Sequence, residues 1–459
     1  MIRSFLLSLA ALAVLISHPS ALPTGFQQKD LVTGMDAVSS AILPDGRILA
    51  IEKFGKVTLV KNGVKQATPF MNWESNTMSR FEKGMMTILA DPNFAKNGYI
   101  YVWYCDKRQG ANGQDRVSRF MVKGDTVDGA SEKLMISLGD AGQNYHHGSG
   151  LTVGPDGKLW INSGCRGNIN DGSPGPENAS NKNRVEGKML RINIPEGDIP
   201  SDNPFYSTNT GDAKAVYYWG LRNPFTMSWR GDKLWFSEVQ SNSGDDKVLE
   251  GGPAGTDYGF QNRGGMAPLW TSSSANANGR AMIGSLWYTG TNFPKEWQDM
   301  YYFGNVAAGT LWAYGPAHQG NAKTFGSFNC PIDVKMDAVG AMYVTTRCQT
   351  EDTRYTTGKL TKVWYGDTEP TTALTSEQQS SVEALRHLNW SVLPGGRLLI
   401  DLEHAGSQSV ELRSLAGRLL ARKDFSGRGS AEFAVPAARG THLLVWKNGT
   451  IRAVTKIVL

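Results

Sequence analysis

The segment Asn144-Tyr-His-His-Gly-Ser-Gly-Leu-Thr-Val-Gly-Pro-Asp-Gly-Lys-Leu-Trp-Ile-Asn-Ser-Gly164 holds two adjacent histidines, a Gly-Ser-Gly sequence, and two apolar runs joined by Pro-Asp-Gly. A Pro-Asp-Gly sequence between apolar runs is typical of a tight turn between two β-strands. We therefore predict a strand on each side of this turn. The loop that carries the histidines is the part of the segment in which we expect chemistry.

The same pattern of apolar run, turn and apolar run recurs along the chain. It is found at 41–52, 87–104, 151–193, 225–237, 300–314 and 332–365. Repeats of roughly 40–50 residues are typical of propeller blades, and the spacing here is somewhat larger because of inserted loops. A single strand meander cannot bury both of its faces, whereas blades packed around an axis can. We predict an all-β chain with a six-bladed β-propeller over 22–366.

The composition changes after residue 366. A Thr-, Ser- and Glu-rich segment at 367–385 is predicted to be a linker. Alternating, turn-bounded strands follow at 386–459, which favours a small C-terminal β-sandwich. The formal net charge of +5 is low for 459 residues, and Lys/Arg blocks interleaved with aromatic residues are absent from the sequence. These features argue against a nucleic-acid partner.

The first 21 residues have one arginine, a short apolar run and small residues at its end, which is typical of a secretory signal peptide. The rest of the sequence holds no apolar run long enough for an integral membrane segment. We therefore expect a secreted, periplasmic or cell-surface protein. Four cysteines fit an oxidising compartment. Cys330 and Cys348 flank one predicted strand-turn-strand unit and are the favoured disulfide pair.

Several motifs occur in an order that resembles a known family. They are Leu43-Pro-Asp-Gly-Arg-Ile-Leu49, Asp91-Pro-Asn-Phe-Ala-Lys-Asn-Gly-Tyr-Ile-Tyr101, His146-His-Gly148, Gly187-Lys-Met-Leu-Arg-Ile192, Gly220-Leu-Arg-Asn-Pro224 and Asp257-Tyr-Gly-Phe260. Together they resemble the soluble quinoprotein glucose/sorbosone or aldose sugar dehydrogenases. The resemblance implies a six-bladed propeller that binds pyrroloquinoline quinone (PQQ) and calcium over its central channel. It also implies that a histidine takes the sugar hydroxyl proton while a hydride passes to the quinone, giving a lactone.

The resemblance assigns roles to individual residues. His146 matches the catalytic histidine, and histidine suits a general base because its pKa lies near working pH. Arg222 and Asn223 match a cofactor-binding element, although an ordinary ion pair is the alternative for the arginine. Glu82 stands where the family has a polar residue near the sugar. His147 is a second substrate candidate, with a structural role as its more frequent alternative.

Asp245 and Asp246 match an acidic element near the family's calcium loop, and hard oxygen ligands suit calcium. A solvated turn is an equally good interpretation of this pair. The sequence also departs from the family pattern. Gly150 replaces an arginine, and Cys330-Pro-Ile-Asp333 stands where the family has an Arg-x-Arg-Asp element. A family lysine expected near 304–308 is missing as well. Such losses would weaken PQQ binding or redirect the site to another ligand.

The last 75 or so residues resemble a C-terminal sorting domain of the type 9 secretion kind, which implies secretion machinery as a partner. The matching sequences are Val410-Glu-Leu-Arg-Ser-Leu-Ala-Gly-Arg-Leu-Leu420 and Thr455-Lys-Ile-Val-Leu459. A carbohydrate-binding or interaction module is the alternative interpretation of this domain.

The leading hypothesis is a secreted oxidoreductase that oxidises an aldose or related sugar hydroxyl with PQQ and calcium. One alternative is a propeller that has lost PQQ and binds extracellular carbohydrate. A less favoured alternative is a calcium-dependent, lactonase-like hydrolase. Trp270, Trp287 and Tyr288 could stack on sugar rings, but packing in the blade core is the favoured interpretation.

Overall fold

The structure is a computed structural model. It describes residues 22–458 with gaps at 168–173, 241–244, 261–263, 273–280, 316–320, 349–353, 371–387, 394–396, 403–406, 415–418, 427–428, 435–440 and 449–450. The predicted signal peptide and most of the predicted linker lie outside the described residues.

Short antiparallel strands make up most of the described chain up to residue 365. They are β1 (Phe26–Met35), β2 (Ala37–Ile42), β3 (Ile48–Glu52), β4 (Lys56–Lys61), β5 (Val64–Lys65), β6 (Met71–Asn72), β7 (Met85–Ala90), β8 (Tyr99–Asp106), β9 (Gln114–Lys123), β10 (Thr126–Asp140), β11 (Leu151–Val153), β12 (Leu159–Ser163), β13 (Lys188–Ile192), β14 (Val216–Trp219), β15 (Asn223–Arg230), β16 (Lys233–Val239), β17 (Lys247–Glu250), β18 (Trp270–Thr271), β19 (Met282–Tyr288), β20 (Met300–Asn305), β21 (Thr310–Tyr314), β22 (Lys323–Ser327), β23 (Pro331–Met336), β24 (Met342–Thr346) and β25 (Gly358–Tyr365). Two short helices, α1 (Phe94–Asn97) and α2 (Gly175–Ser180), lie between strands. The helices of the described chain are too short and too polar to cross a membrane.

These strands form six sheets in the described chain. Five of them follow the sequence: β2–β6, β7–β10, β11–β14, β15–β18 and β19–β22. The sixth holds β23, β24 and β25, and its outer strand is β1 from the opposite end of the propeller sequence. The first strands of the six sheets contact one another in a closed ring: β2, β7, β11, β15, β19, β23 and back to β2. The predicted six-bladed β-propeller is confirmed.

The pairing of β1 with β25 closes the ring. Phe26 lies opposite Tyr365 and Asp30 opposite Thr361 in an antiparallel register. The Asp30 carboxylate also accepts hydrogen bonds from Lys359 and Thr361 on β25 (both 2.7 Å). Because the last blade is built from both ends of the domain, it cannot open without breaking main-chain hydrogen bonds.

Aromatic side chains fill much of the space between blades. The predicted core residues Trp270, Trp287 and Tyr288 are 5%, 2% and 0% exposed, so the interpretation as blade-core packing is confirmed. Trp287 lies beside Trp235 of the preceding blade, with ring centroids 4.7 Å apart. Fully burying a large apolar side chain stabilises the fold by roughly 1.5–3 kcal/mol. These rings therefore hold adjacent blades together and are not accessible to a sugar.

Two further sheets follow the propeller. Their strands are β26 (Leu388–Leu393), β27 (Arg397–Leu402), β28 (Ser407–Ser414), β29 (Leu419–Ser426), β30 (Gly429–Ala434), β31 (Thr441–Asn448) and β32 (Ile451–Val458). One sheet has the order β26-β27-β30 and the other β29-β28-β31-β32. Leu398, Ile400, Val410, Leu412 and Leu444 are fully buried. Two antiparallel sheets with buried apolar residues fit the predicted β-sandwich; its exact boundaries and its sorting role remain predictions.

The propeller brings two positions of every blade to the same end of the ring. In an antiparallel sheet the beginning of the first strand lies beside the end of the second strand. His146 and Ser149 precede β11, and Arg222 precedes β15. Lys53 directly follows β3, and Arg347 directly follows β24. All of these side chains therefore gather at one mouth of the central channel.

Candidate functional site

A cavity of about 300 Å³ lies at this end of the propeller. All six blades contribute to its wall. Its polar side chains are Ser39, Lys53, Glu82, Thr87, His146, Ser149, Arg222, Asn223, Thr226, Gln240, Asp246, Asp333 and Arg347. The apolar part of the wall includes Val38, Phe225 and Ile283. A concave site whose wall combines apolar side chains with convergent polar groups is typical of small-molecule binding.

His146 lies in the cavity wall with its imidazole held in one tautomer. Its Nδ1 is 2.5 Å from the main-chain oxygen of Gly167. Since a carbonyl oxygen can only accept, Nδ1 carries the proton and Nε2 has the lone pair. Burial and the nearby Arg222 hold the pKa of His146 below its usual value, against an opposing effect of Glu82. The side chain is therefore neutral near pH 7 and has a basic nitrogen for a ligand.

Glu82 fixes the backbone that carries His146. The main-chain N–H groups of His146 and His147 donate to Glu82 Oε2 (2.7 and 3.2 Å), and the Asn223 amide donates to the same oxygen (3.2 Å). His146 has a φ of +64°, a conformation that is uncommon for a residue other than glycine. Such conformations persist where surrounding contacts determine them, and they are frequent at functional sites.

His147 points into the protein and does not line the cavity. It is 0% exposed, its Nδ1 lies 2.5 Å from Asp115 Oδ2, and its Nε2 lies 2.9 Å from the oxygen of Gln143. Arg166 also contacts Asp115 Oδ2 (2.7 Å). The structure thus places His147 in a buried ionic network beneath the loop. Of the two substrate candidates, Glu82 reaches the cavity and His147 does not.

Gly150 leaves no space for a side chain. A β-carbon at this position would lie 2.4 Å from Asn162 Nδ2 and 2.9 Å from the oxygen of Phe225. The Asn162 side chain is fixed there because its Oδ1 accepts from the main-chain N–H groups of Ser149 (2.8 Å) and Gly150 (2.5 Å). The arginine expected from the family pattern therefore cannot be accommodated in this loop without rearranging it.

Arg222 is a buried cation without an ion pair among the described residues. It is 4% exposed; its Nη1 donates to the oxygen of Val239 (2.9 Å), and its Nε has no hydrogen-bond partner in the described chain. The neighbouring Glu238 accepts from the main-chain N–H of Arg222 (2.6 Å), and burial raises the pKa of Glu238 to about 7. A buried charge is normally paired. Arg222 is therefore suited to an anionic ligand.

Asn223 lies next to Arg222 and links two parts of the site. Its side-chain oxygen accepts from the main-chain N–H of Gly148 (3.1 Å), while its amide donates to Glu82. The structure thus brings Glu82, His146, Arg222 and Asn223 together, as the sequence predicted for a common site. Asn223 itself uses its polar atoms to tie the histidine loop to the start of β15.

Of the two candidate calcium ligands, Asp246 borders the cavity and Asp245 does not. Asp246 is 2% exposed, and its two oxygens accept from the main-chain N–H groups of Gln240 (2.8 Å) and Met282 (2.9 Å). Burial raises the pKa of Asp246, which disfavours its charged form. No three His, Cys, Asp or Glu side chains cluster as metal ligands within the described residues. Asp245 and Asp246 are therefore not part of a cluster of acidic side chains within the described residues.

The cavity wall also holds two cations that were not predicted from the sequence, Lys53 and Arg347. They are 1% and 7% exposed. The only sequence signal is their position directly after the buried second strand of a blade, where every blade reaches the channel mouth. Arg347 is also next to the disulfide of Cys330 and Cys348, which is formed as predicted. The other two cysteines, Cys105 and Cys165, are free and buried.

Comparison with known proteins identifies the family. A sequence model described as glucose/sorbosone dehydrogenase matches residues 35–354, which is more than half of the chain. The chain belongs to the glucose/sorbosone dehydrogenase family. The matched region covers the whole wall of the cavity, from Val38 to Cys348.

Curated relatives of this family member are distant. An uncharacterized protein of Synechocystis is 30% identical over 233 residues, which are 48% of this chain and 55% of the relative. The HIPL2 protein of Arabidopsis thaliana is 22% identical over 361 residues, 61% of this chain and 51% of the relative. The chain therefore spans about half the length of the curated relatives it matches.

Solved structures share the propeller. The soluble aldose sugar dehydrogenase of Escherichia coli, in its apo form, is 20% identical with a TM-score of 0.60, covering 74% of this chain and 99% of the other. The PQQ-bound aldose sugar dehydrogenase of Streptomyces coelicolor is 18% identical with a TM-score of 0.58, covering 75% and 99%. At this level of identity the likeness establishes the fold.

Proposed function

We propose that the protein is a sugar oxidoreductase that oxidises an aldose at its anomeric hydroxyl, with PQQ as hydride acceptor. The observation that carries this proposal is that one cavity holds both a neutral His146, whose Nε2 is the basic nitrogen, and Arg222, a buried cation with no ion pair among the described residues. Family membership supports it, since the family is described as glucose/sorbosone dehydrogenases. The PQQ-bound neighbour from Streptomyces coelicolor supports the choice of cofactor.

The residues present suit an anionic planar cofactor. Arg222 would hold a carboxylate of PQQ, because a guanidinium matches a carboxylate with its planar fork of donors. Its Nε has no hydrogen-bond partner in the described chain, so one donor of the fork is still available. The chemistry that PQQ supplies when bound is the acceptance of a hydride. We assign calcium no step in the reaction; Asp246, the candidate calcium ligand that borders the cavity, accepts hydrogen bonds from two main-chain N–H groups.

His146 then acts on the sugar. Its Nε2 accepts the proton of the anomeric hydroxyl as the hydride leaves the anomeric carbon, so that the aldose becomes a lactone. The Gly167 carbonyl accepts from Nδ1–H and stabilises the imidazolium that forms. The negative charge of Glu82 also stabilises the protonated ring of His146. General bases of this kind typically accelerate a reaction by 10²–10⁴-fold.

A dye-linked assay tests the proposal. The purified protein is incubated with PQQ, with and without added calcium, and dye reduction is followed with a panel of aldoses. We expect turnover by the wild-type protein and at least a hundredfold lower kcat for His146→Gln, with PQQ binding retained. Absence of PQQ binding and of turnover in the wild-type protein would refute the proposal; a glycan-binding screen on the same sample would then test the carbohydrate-binding alternative.

We also propose that the protein works outside the cytoplasm. The predicted signal peptide and the disulfide between Cys330 and Cys348 support this proposal, since disulfides persist in oxidising compartments. Export by a type 9-like machinery through the C-terminal domain is part of the same proposal. Mass spectrometry of the protein recovered from culture medium and cell fractions tests both points: retention in the cytoplasm with residues 1–21 still attached would contradict them.

A further inference from the structure

The cavity has cations on two opposite sides. Arg222 lies between the third and fourth blades, at the start of β15, whereas Lys53 follows β3 of the first blade and Arg347 follows β24 of the sixth. Because six blades form the ring, the junction of the sixth and first blades lies across the channel from the junction of the third and fourth. Lys53 and Arg347 therefore face Arg222 across the site.

Asp36 holds this second pair in place. It lies between β1 and β2, at the junction of the sixth and first blades. Its main-chain oxygen accepts from the N–H of Lys53 (3.0 Å), and its Oδ1 accepts from Arg347 Nε (2.6 Å). The main-chain N–H of Arg347 also donates to the oxygen of Cys330 (3.0 Å), the partner in the adjacent disulfide. Asp36 thus links the main chain of Lys53 to the guanidinium group of Arg347, although the two residues come from different blades.

The lysine stem passes over a glycine that leaves room for it. A β-carbon on Gly84 would lie 2.7 Å from Lys53 Cγ and 2.6 Å from the Lys53 oxygen. The φ of Gly84 is +159°, at the limit of the region that L-residues rarely adopt. The local backbone is therefore shaped around the path of this side chain toward the cavity.

Arg347 has hydrogen-bonding capacity that the described part of the chain does not use. Its side chain is only 6% exposed, yet its Nη2 has no hydrogen-bond partner among the described residues. The carboxylates in the same wall are already engaged. Asp333 accepts from Lys335 (2.5 Å) and from the Ser40 N–H (2.9 Å), and Asp246 accepts from two main-chain N–H groups. Within the described residues, Arg222 Nε and Arg347 Nη2 are cationic donors of this wall that have no hydrogen-bond partner, and such donors suit an acidic ligand.

We propose that Lys53 and Arg347 form a second anion-binding edge that holds a carboxylate of a planar polycarboxylate, opposite the carboxylate held by Arg222. The proposal deepens the proposed function, in which that ligand is PQQ. It also names residues that the family resemblance did not point to. A ligand with carboxylates on two sides would be held across the channel mouth, between Arg222 on one side and Lys53 and Arg347 on the other.

Binding measurements on the full chain test this edge without relying on activity. Isothermal titration calorimetry is run with PQQ and, separately, with trimellitate, a benzene tricarboxylate that has no quinone. The test variants are Arg347→Lys, which keeps the positive charge but loses the planar set of guanidinium donors, and Lys53→Met, which keeps most of the aliphatic side chain but loses the ammonium group. Matched controls are Arg230→Lys and Lys56→Met, since these side chains are 40% and 42% exposed and lie outside the cavity wall. Near-UV circular dichroism checks that each variant is folded.

We expect each test variant to raise the Kd for PQQ by about tenfold to a hundredfold, because charge-assisted hydrogen bonds are lost. The controls should stay within about twofold. Should Arg347→Lys fail to fold, the double variant Asp36→Asn/Arg347→Met removes the buried pair together and should give the same loss.

The outcomes separate this inference from the proposed function. If the wild-type protein binds PQQ and the test variants bind it equally well, the second edge is refuted while the cofactor proposal stands. If the wild-type protein binds trimellitate but not PQQ, and the test variants lose that binding, the edge stands and the quinone proposal falls. If neither probe binds the wild-type protein, both are refuted.

Discussion

Replacing Glu82 by glutamine tests how the loop controls the base. In the wild-type protein Glu82 Oε2 accepts from the N–H groups of His146 and His147, and Oε1 lies 3.4 Å from the Asn223 amide nitrogen. A glutamine oxygen at the Oε2 position keeps the first two bonds but without the charge. The glutamine amide nitrogen then stands at the Oε1 position, where it meets the Asn223 amide donor against donor, while the Asn223 contact to the Oε2 position (3.2 Å) is kept without the charge. The substitution therefore weakens the loop while keeping its shape.

The magnitude follows from these contacts. A hydrogen bond to a charged group contributes about 1.5–3 kcal/mol and a neutral one about 0.5–1.5 kcal/mol. Weakening the contacts of Glu82 in this way should cost about 1–2 kcal/mol in the transition state. We expect kcat/KM of the PQQ-loaded protein to fall by about five- to thirtyfold in Glu82→Gln.

The substitution should also change the pH dependence. Burial lowers the pKa of His146 and the charge of Glu82 raises it, with Arg222 again lowering it. Removing the negative charge of Glu82 therefore lowers the pKa of His146 further. The neutral base then persists to lower pH, and the acid limb of the kcat/KM profile moves to lower pH.

The assay is a pH–rate profile of Glu82→Gln beside the wild-type protein, with Glu74→Gln as control. Glu74 pairs with Arg354 at the surface, with 36% of its side chain exposed. The His146 ring is titrated in parallel by NMR on the apoprotein. An acid limb and a His146 titration that stay unchanged, or move to higher pH, would refute the proposed electrostatic link between Glu82 and His146.

Three further predictions concern stability. Burial raises the pKa of Glu238 to about 7 in the folded protein, against an ordinary value of 4.5, so the free energy of unfolding should fall as pH rises from about 4.5 to 7. In Glu238→Gln this pH-dependent fall should be smaller by up to about 3 kcal/mol, as measured by urea unfolding across this pH range. Gly150→Ala should cost about 1–3 kcal/mol and lower Tm, because the new β-carbon overlaps Asn162 Nδ2; an unchanged Tm would contradict the packing argument. The double variant Cys330→Ala/Cys348→Ala opens a loop with a sequence separation of 18 and should cost about 2–4 kcal/mol; calorimetry that finds less than 1 kcal/mol would count against a stabilising disulfide.

Local turn chemistry made the blades predictable from sequence. The Pro-Asp-Gly turn after Val153 lies between β11 and β12, which pair with Leu151 opposite Ile161. β1 escaped prediction because its partner β25 is more than 300 residues away, and ring closure leaves no local pattern. β17 and β18 lie between the repeats predicted at 225–237 and 300–314, and they were not predicted because short strands with mixed polarity lack a clear alternation.

Residues of the candidate site could be predicted from the sequence only where they lie in motifs shared with the family. His146, Arg222 and Asn223 were found through the family pattern, and the structure brings them together with Glu82. The pattern could not tell which face of the loop His147 takes, because its burial depends on Asp115, a residue on another blade. Asp245 and Asp246 are adjacent, so one of them borders the cavity while the other does not.

Lys53 and Arg347 illustrate why a propeller site can keep its charge while its motifs change. Each blade offers equivalent positions at the channel mouth, before its first strand and after its second. A cation lost from the start of one blade can therefore be replaced by a cation from the end of the same or a neighbouring blade. Here the entrance to β23 has no arginine, and Arg347 after β24 of the same blade reaches the same cavity. The absence of a family motif in one blade is consequently weak evidence against anion binding. Strong evidence against it would be a cavity wall in which every cationic donor already has a partner within the protein.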